Sequence, residues 1–196
     1  MKISTRSITL AATLTALCAV TGLLPYVFFL PVMVAATTLS VGMAAFVGLA
    51  FGAVSIAYCF IVPTGTIVAA AFIEAPYIAI FPRILAALGA FGAYKFIQYV
   101  SHPSSRAGKF AAVSIAAAIG SLLNTGLVVS MLVLILPSFT LGAVTMYVAV
   151  PQMLVSGAIE CGCMAALTPP ISLTLNRVVL KNDVRKKQSS AGNIGI

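Results

Sequence analysis

Long apolar runs, broken by short clusters of proline, glycine and charge, set the pattern of this chain. A helix that crosses a membrane needs about 20 apolar residues. The first run predicts a helix from Ser7 to Phe29, closed by Pro25 and Pro31, which bracket a short loop. A second runs from Val32 to Leu49. Gly48 and Gly52 then flank a tight turn into a third, from Phe51 to Val62, which is short unless it borrows from its neighbours. Pro63-Thr64-Gly65-Thr66 is turn chemistry. The stretch from Ile67 to Glu74 fits a re-entrant loop, a short helix or the continuation of a span. A fourth helix runs from Pro76 to Val100, and Pro82 either kinks its first turns or marks its true start. Ser101-His102-Pro103-Ser104-Ser105 is a loop, and a fifth helix follows from Arg106 to Leu136. After a loop beginning at Pro137, the sixth starts between Met146 and Pro151 and runs to Leu180.

Composition agrees with that reading. Of 196 residues, 61% are hydrophobic and 7% charged, against about 25% charged in a soluble domain. The pattern therefore predicts an all-α polytopic membrane protein, with residues 1–182 as a single six-helix membrane domain and 183–196 as a basic, polar cytoplasmic tail. Lys2 and Arg6 precede the first run as in a signal peptide, but the run from Ile8 to Phe29 is too long for a typical signal core and more spans follow.

Charge sets the orientation. A net charge of +8 would point to nucleic acid in a soluble protein. Here the basic residues flank apolar segments, as the positive-inside rule expects, so no nucleic-acid partner is implied. Lys2 and Arg6, then Lys95, Arg106 and Lys109, then Arg177 to Lys187 mark one side. Six helices place the N and C termini and the central loop together on that side, the cytoplasmic one. The expected location is the cell membrane, as a multi-pass protein in contact with lipid.

Cysteine adds little. Cys18, Cys59, Cys161 and Cys163 lie in apolar runs, where cysteine packs as a small hydrophobe. A Cys-x-Cys pair without histidine nearby is a poor metal site, so no metal is expected.

Three ionisable residues break the apolar pattern: Glu74, Arg83 and Glu160. Charges at membrane depth are rare and face a protein interior or a water-filled cavity. At 1.5 Å per residue, Arg83 lies about 28 Å from His102 along its helix, Asn124 about 27 Å from Arg106, and Glu160 about 26 Å from Arg177. Three polar groups on three successive helices thus share one level, near the outer edge of a core about 30 Å thick. Glu74 and the Pro63–Thr66 loop sit above them as a lid.

Each candidate has two readings. Arg83 either pairs with Glu74 or Glu160 to fix helix packing, or binds an anion, since guanidinium grips carboxylates with two hydrogen bonds. Glu160 is its counter-ion or an acceptor for substrate hydroxyls. Asn124, with Ser121 and Thr125, is interhelical glue or part of the site. Gln152, Ser156 and Glu160 recur at i, i+4, i+8 on one helix face. Tyr26, Tyr77 and Tyr147 fit an outer aromatic belt, with Tyr77 near enough to Arg83 to line a pocket. Lys95 and His102 read as snorkelling or loop residues. Ala12 and Ala16, with Ala11 and Ala19 nearby, make a close-approach face on the first helix. The sequence has no His-Glu-x-x-His, Gly-x-Ser-x-Gly or phosphate-loop motif, so a transport or binding role is expected rather than catalysis.

Several segments resemble the substrate-binding S component of energy-coupling factor (ECF) vitamin transporters. Ala11-Ala12-Thr13-Leu14-Thr15-Ala16-Leu17 after Arg6 resembles the family's alanine motif, and residues 44–60 resemble its glycine-rich junction between helices two and three. Phe81-Pro82-Arg83-Ile84-Leu85 resembles its Pro-Arg-hydrophobic motif, and Gly120-Ser121-Leu122-Leu123-Asn124-Thr125 its Gly…Asn-Thr signature. Together these touch the whole chain at low similarity. One departure is Phe51-Gly52-Ala53, where many relatives read Phe-Gly-Pro.

The resemblance implies six helices and an outward-opening pocket on helices four to six, capped by loops. The implied ligand is a small anionic vitamin: pantothenate first, with its carboxylate on Arg83 and its hydroxyls and amide on Asn124 and Glu160, and folate second. It further implies docking through Ala12 and Ala16 on a transmembrane coupling subunit that is driven by two cytosolic ATPase subunits. ATP would then act on the partners, with no cofactor on this chain. An autonomous gradient-driven transporter is the competing class.

Overall fold

The structure is a computed structural model that describes residues 5–22, 24, 26–61, 66–138, 140, 141 and 144–180. The tail from 183 to 196 and the lid residues Pro63, Thr64 and Gly65 lie outside the described residues, as does the side chain of Tyr147.

Among the described residues seven helices follow in chain order: α1 (Thr5–Thr21), α2 (Leu30–Thr38), α3 (Val41–Ile61), α4 (Ile67–Glu74), α5 (Pro76–Ser101), α6 (Arg106–Ile135) and α7 (Met146–Leu175). A five-residue π-helical turn, Asn176–Leu180, continues α7. Between α6 and α7 the chain folds a small antiparallel hairpin, β1 (Thr140–Leu141) on β2 (Val144–Thr145), where the sequence predicts only a loop. Among the described residues four helices are long and apolar enough to cross a membrane: Val41–Ile61, Pro76–Ser101, Arg106–Ile135 and Val148–Val178. Their outer faces carry Phe46, Phe81, Leu85, Phe96, Leu154 and Val155, all exposed. Such a face is costly in water and suits hydrocarbon. The helical fold is compatible with a membrane protein.

Local chemistry explains most boundaries. Pro76 occupies the first turn of α5, where its missing N–H costs nothing. The helix passes through Pro82 without ending and stops at His102, which takes the left-handed conformation (φ 37°) of a helix cap. Ser105 caps α6 by accepting a hydrogen bond from the Gly108 amide at 3.0 Å, and Thr66 caps α4 by accepting one from Ala69 at 3.2 Å. Ile67–Glu74 is thus a short helix, too short to cross.

The first third of the chain differs from the sequence reading. The first helix ends at Thr21, not Phe29, and the second is only nine residues, Leu30–Thr38. Seven of those nine are buried, and α2 packs against α1, α3, α5, α6 and α7. A helix that is apolar all round belongs in a core, and α2 fills the centre of the bundle. The predicted turn at Gly48–Gly52 does not exist, because α3 runs unbroken from Val41 to Ile61. The two glycines instead let α3 lie backbone-to-backbone on α5. A Cβ at Gly48 would stand 2.8 Å from the Arg83 carbonyl oxygen, and one at Gly52 3.0 Å from the Ile80 Cα. Glycines four apart serve this close approach in membrane helices.

Pairings fix the directions. Gly48 beside Arg83 and Gly52 beside Ile80 make α3 and α5 antiparallel. Ser114 on α6 donates to the Ala165 carbonyl on α7 at 2.8 Å, while Gly157 abuts Thr125, so α6 and α7 are antiparallel too. The Tyr58 hydroxyl donates to the Ala19 carbonyl, joining the C-terminal ends of α1 and α3. Arg83, Asn124 and Glu160 therefore lie toward one end of the bundle, while Lys95, Arg106, Lys109 and Arg177 gather at the other.

Candidate functional site

Each polar residue sits on the inward stripe of its helix. On α5 the buried positions Ile78, Ala79, Pro82, Arg83, Ala86, Ala87 and Ala90 recur with helical period. On α6 the stripe runs through Ala116, Ala117, Gly120, Ser121, Asn124 and Val128, and on α7 Gly157, Glu160, Met164, Thr168 and Ser172 are buried. Arg83, Asn124 and Glu160 are each only 5% exposed. They line one cavity of about 360 Å³, together with Tyr26, Phe28, Val68, Phe72, Thr125, Val128, Met153, Ser156 and Gly157. That volume falls within the ~300–1,000 Å³ of small-molecule sites, at the lower end.

Arg83 is held by three elements. Its Nη1 donates to the Ala79 carbonyl one turn earlier, at 2.6 Å. Its guanidinium carbon lies 5.3 Å from the ring centroid of Phe51 on α3 and 5.1 Å from that of Phe72 on α4. Phe51 in turn stacks on Phe28 at 5.7 Å and touches Phe29 at 5.6 Å. A desolvated cation between aromatic faces gains about 2 kcal/mol or more. Without the close α3–α5 approach at Gly48, Phe51 would not reach this position.

Several buried polar atoms around Arg83 have no protein partner. These are Arg83 Nε, Asn124 Oδ1 and Glu160 Oε1 in the cavity wall, with Ser121 Oγ buried beside them on α6. Among the described residues no ion pair joins Arg83 to Glu160. An unsatisfied buried polar group costs about 1–3 kcal/mol, so a packing role alone does not account for three around one cavity. The set offers a guanidinium donor and two oxygen acceptors. It suits a ligand with an anionic group at one end and hydroxyl or amide hydrogens at the other.

Not every predicted residue arrives here. Glu74 ends α4 exposed and lines no part of the cavity, and Tyr77 is 43% exposed on the outside of α5. Gln152 is exposed as well, while Ser156 and Glu160 face inward. The helix itself gives the reason. Steps of four residues drift by about 40° each, so Gln152 has turned about 80° away from Glu160, whereas Met153, seven residues back, is only about 20° off. Tyr26, assigned from the sequence to the aromatic belt, lines the cavity. Ser121 is buried next to the cavity without lining it. Nothing in the local sequence marks Phe51 and Phe72, because their clamp on Arg83 forms only when α3, α4 and α5 meet. Among the described residues no group of three or more His, Cys, Asp or Glu side chains could hold a metal ion, and all four cysteines are free.

No protein-family model matches this chain, and no curated protein matches it either. Its class therefore rests on the fold and the site: a helical chain with four helices long and apolar enough to cross a membrane and a buried polar cavity of small-molecule size.

Proposed function

We propose that this chain is the substrate-binding membrane subunit of an energy-coupling factor type vitamin importer, residing in a bacterial plasma membrane. It crosses the bilayer six times: α1 and the longer segment that carries α2, whose Ala36–Leu39 end reaches the opposite end of the bundle, complete the four long spans, and both termini lie in the cytoplasm. It binds a small anionic vitamin and passes it inward when docked on a transmembrane coupling subunit driven by two cytosolic ATPases. The observation that carries this reading is the cavity around Arg83, Asn124 and Glu160, with its unpartnered donor and acceptors. A volume of about 360 Å³ favours pantothenate over the bulkier folate. Ala12 and Ala16 support the docking role, since both are exposed on α1 opposite the buried Ala11, Leu14 and Cys18.

The test is vitamin binding by the purified chain alone. Saturable binding of pantothenate, abolished in Arg83→Ala, is expected, as is uptake that requires the ATPase module. If no vitamin from a full panel binds, the reading fails. A second reading, an autonomous gradient-driven transporter, draws on Thr168 and Ser172, which continue the Glu160 stripe toward the opposite end of α7. Uptake into liposomes by this chain without partners would favour it.

A further inference from the structure

A larger cavity, about 970 Å³, opens at the end of the bundle opposite the vitamin site. Four cations line it: Lys95 from α5, Arg106 and Lys109 from α6, and Arg177 from the turn after α7. Gln98 and Asn176 add hydrogen-bonding groups, and no acidic side chain is among the lining residues. Of the chain's three acids, Glu74 and Glu160 belong to the other end, and Asp183 lies outside the described residues. The positive-inside rule asks only that cations flank the spans. It does not ask that three elements direct them around one hollow.

For two of the four cations this placement works against the fold's own electrostatics, whereas Arg177 lies in a last turn, where a cation is favourable. Arg106 and Lys109 occupy the first turns of α6, which carries no acid in its first turn. The N-terminus of a helix is its positive end, so cations there are unfavourable. The same positive end, facing the cavity beside Ser104 and Arg106, favours a bound anion. The C-terminus of α2 reaches the cavity at Thr37–Leu39 and brings about half a negative charge, which four full positive charges outweigh. Lys95 is steadied on the cavity wall, with its Nζ 5.6 Å from the ring centroid of Phe91.

The geometry points to a second binding site, for a phosphate-bearing anion, built from Lys95, Arg106, Lys109 and Arg177. The apolar wall contributed by Leu39, Phe91 and Leu173 suits the glycerol and upper acyl portion of a phospholipid whose headgroup meets the cations. Basic hollows between membrane helices hold anionic headgroups in this manner. A free phosphate ester offers the same oxyanion, and the experiment separates the two sources.

The full chain is purified in detergent and exposed in turn to inorganic phosphate, to phosphatidylcholine vesicles, and to the same vesicles carrying cardiolipin. Thermal stability and lipid adducts in native mass spectrometry are the readouts. Arg106→Gln/Lys109→Gln removes two site cations, and Lys186→Gln/Lys187→Gln removes the same charge from the C-terminal segment. Cardiolipin is expected to stabilise the chain and the Lys186/Lys187 variant alike, and to bind the Arg106/Lys109 variant roughly thirtyfold more weakly. Stabilisation by inorganic phosphate with the same selectivity would support the site with a soluble ligand. If the two variants lose binding equally, or neither loses it, there is no built site and the proposal is overturned. Vitamin binding at the opposite end is scored separately, so either inference can fail without the other.

Discussion

Gly48 on α3 lies directly against the backbone of Arg83 on α5, so that a Cβ at Gly48 would approach the Arg83 carbonyl oxygen to 2.8 Å and the Ala87 Cβ to 3.2 Å. The neighbour is backbone, which cannot step aside. The same contact carries Phe51 onto the guanidinium, so helix packing and site geometry are one feature.

Gly48→Ala is accordingly expected to destabilise the protein by about 1–3 kcal/mol, the usual cost of overpacking, and to weaken ligand binding with it. Gly92 and Gly42 are the controls, because a Cβ at either meets nothing within 4 Å. Gly92→Ala should stabilise α5 by roughly 0.5–1 kcal/mol through the lower entropy of its unfolded chain. Thermal unfolding in detergent reads both effects. Equal midpoints for Gly48→Ala and Gly92→Ala would mean that α3 and α5 separate freely at this point.

The clamp makes a separate prediction. Phe72 supplies one of the two rings that flank Arg83, at 5.1 Å, and comes from the short helix α4 at the rim of the cavity. Phe72→Leu keeps apolar bulk and removes the quadrupole. A cation–π contact of about 0.5–2 kcal/mol converts to a roughly twofold to thirtyfold loss of ligand affinity. Phe72→Tyr should retain most of it. Isothermal titration with the vitamin is the measurement, and equal affinities for the Leu and Tyr variants would refute the clamp.

Which parts of this were legible from the sequence follows from geometry. The rise per residue is fixed, so counting from the basic ends put Arg83, Asn124 and Glu160 on one level, and all three line one cavity. Rotation about the axis is a finer matter, and one residue is about 100°. That is why a spacing of four puts Ser156 on the inward face beside Glu160 but does not carry Gln152 there. Glycine-rich stretches are ambiguous in isolation: Gly48 and Gly52 suit a turn or a close helix contact, and only the presence of α5 decides. The short α2 is hidden for a similar reason, since Val32 to Thr37 read as the start of a long span but are buried among five other helices.

The relation of Arg83 to Glu160 can be tested by replacement. No ion pair joins them among the described residues, and each has an unpartnered atom at the cavity. Glu160→Gln preserves volume and one acceptor oxygen, so its unfolding midpoint is expected to stay near that of the wild type. Its ligand affinity should fall roughly tenfold or more, because hydrogen bonds to charged groups are worth about 1.5–3 kcal/mol. The exchange Arg83→Glu/Glu160→Arg should bind nothing, since the new Arg lacks the Phe51–Phe72 clamp. Recovery of binding in the exchanged protein would reduce both residues to a packing pair.

The last prediction concerns how α2 is fixed in the centre. The Thr37 hydroxyl oxygen lies 2.8 Å from that of Ser172 on α7, and 3.0 Å and 3.2 Å from the Met33 and Val34 carbonyls of its own helix. Thr37 has one hydroxyl hydrogen, and the carbonyls can only accept. That hydrogen goes either back along α2 or across to Ser172, and either hydroxyl can donate in the Thr37–Ser172 pair. Ser172→Ala and Thr37→Val each remove one partner of this link. Interhelical hydrogen bonds in membrane proteins average about 0.6 kcal/mol and reach about 1.7, and full burial of both residues favours the upper part of that range. A double-mutant cycle on unfolding free energy should give a coupling of about 1 kcal/mol. Additive effects would mean that shape alone, rather than this hydroxyl pair, holds α2 against α7.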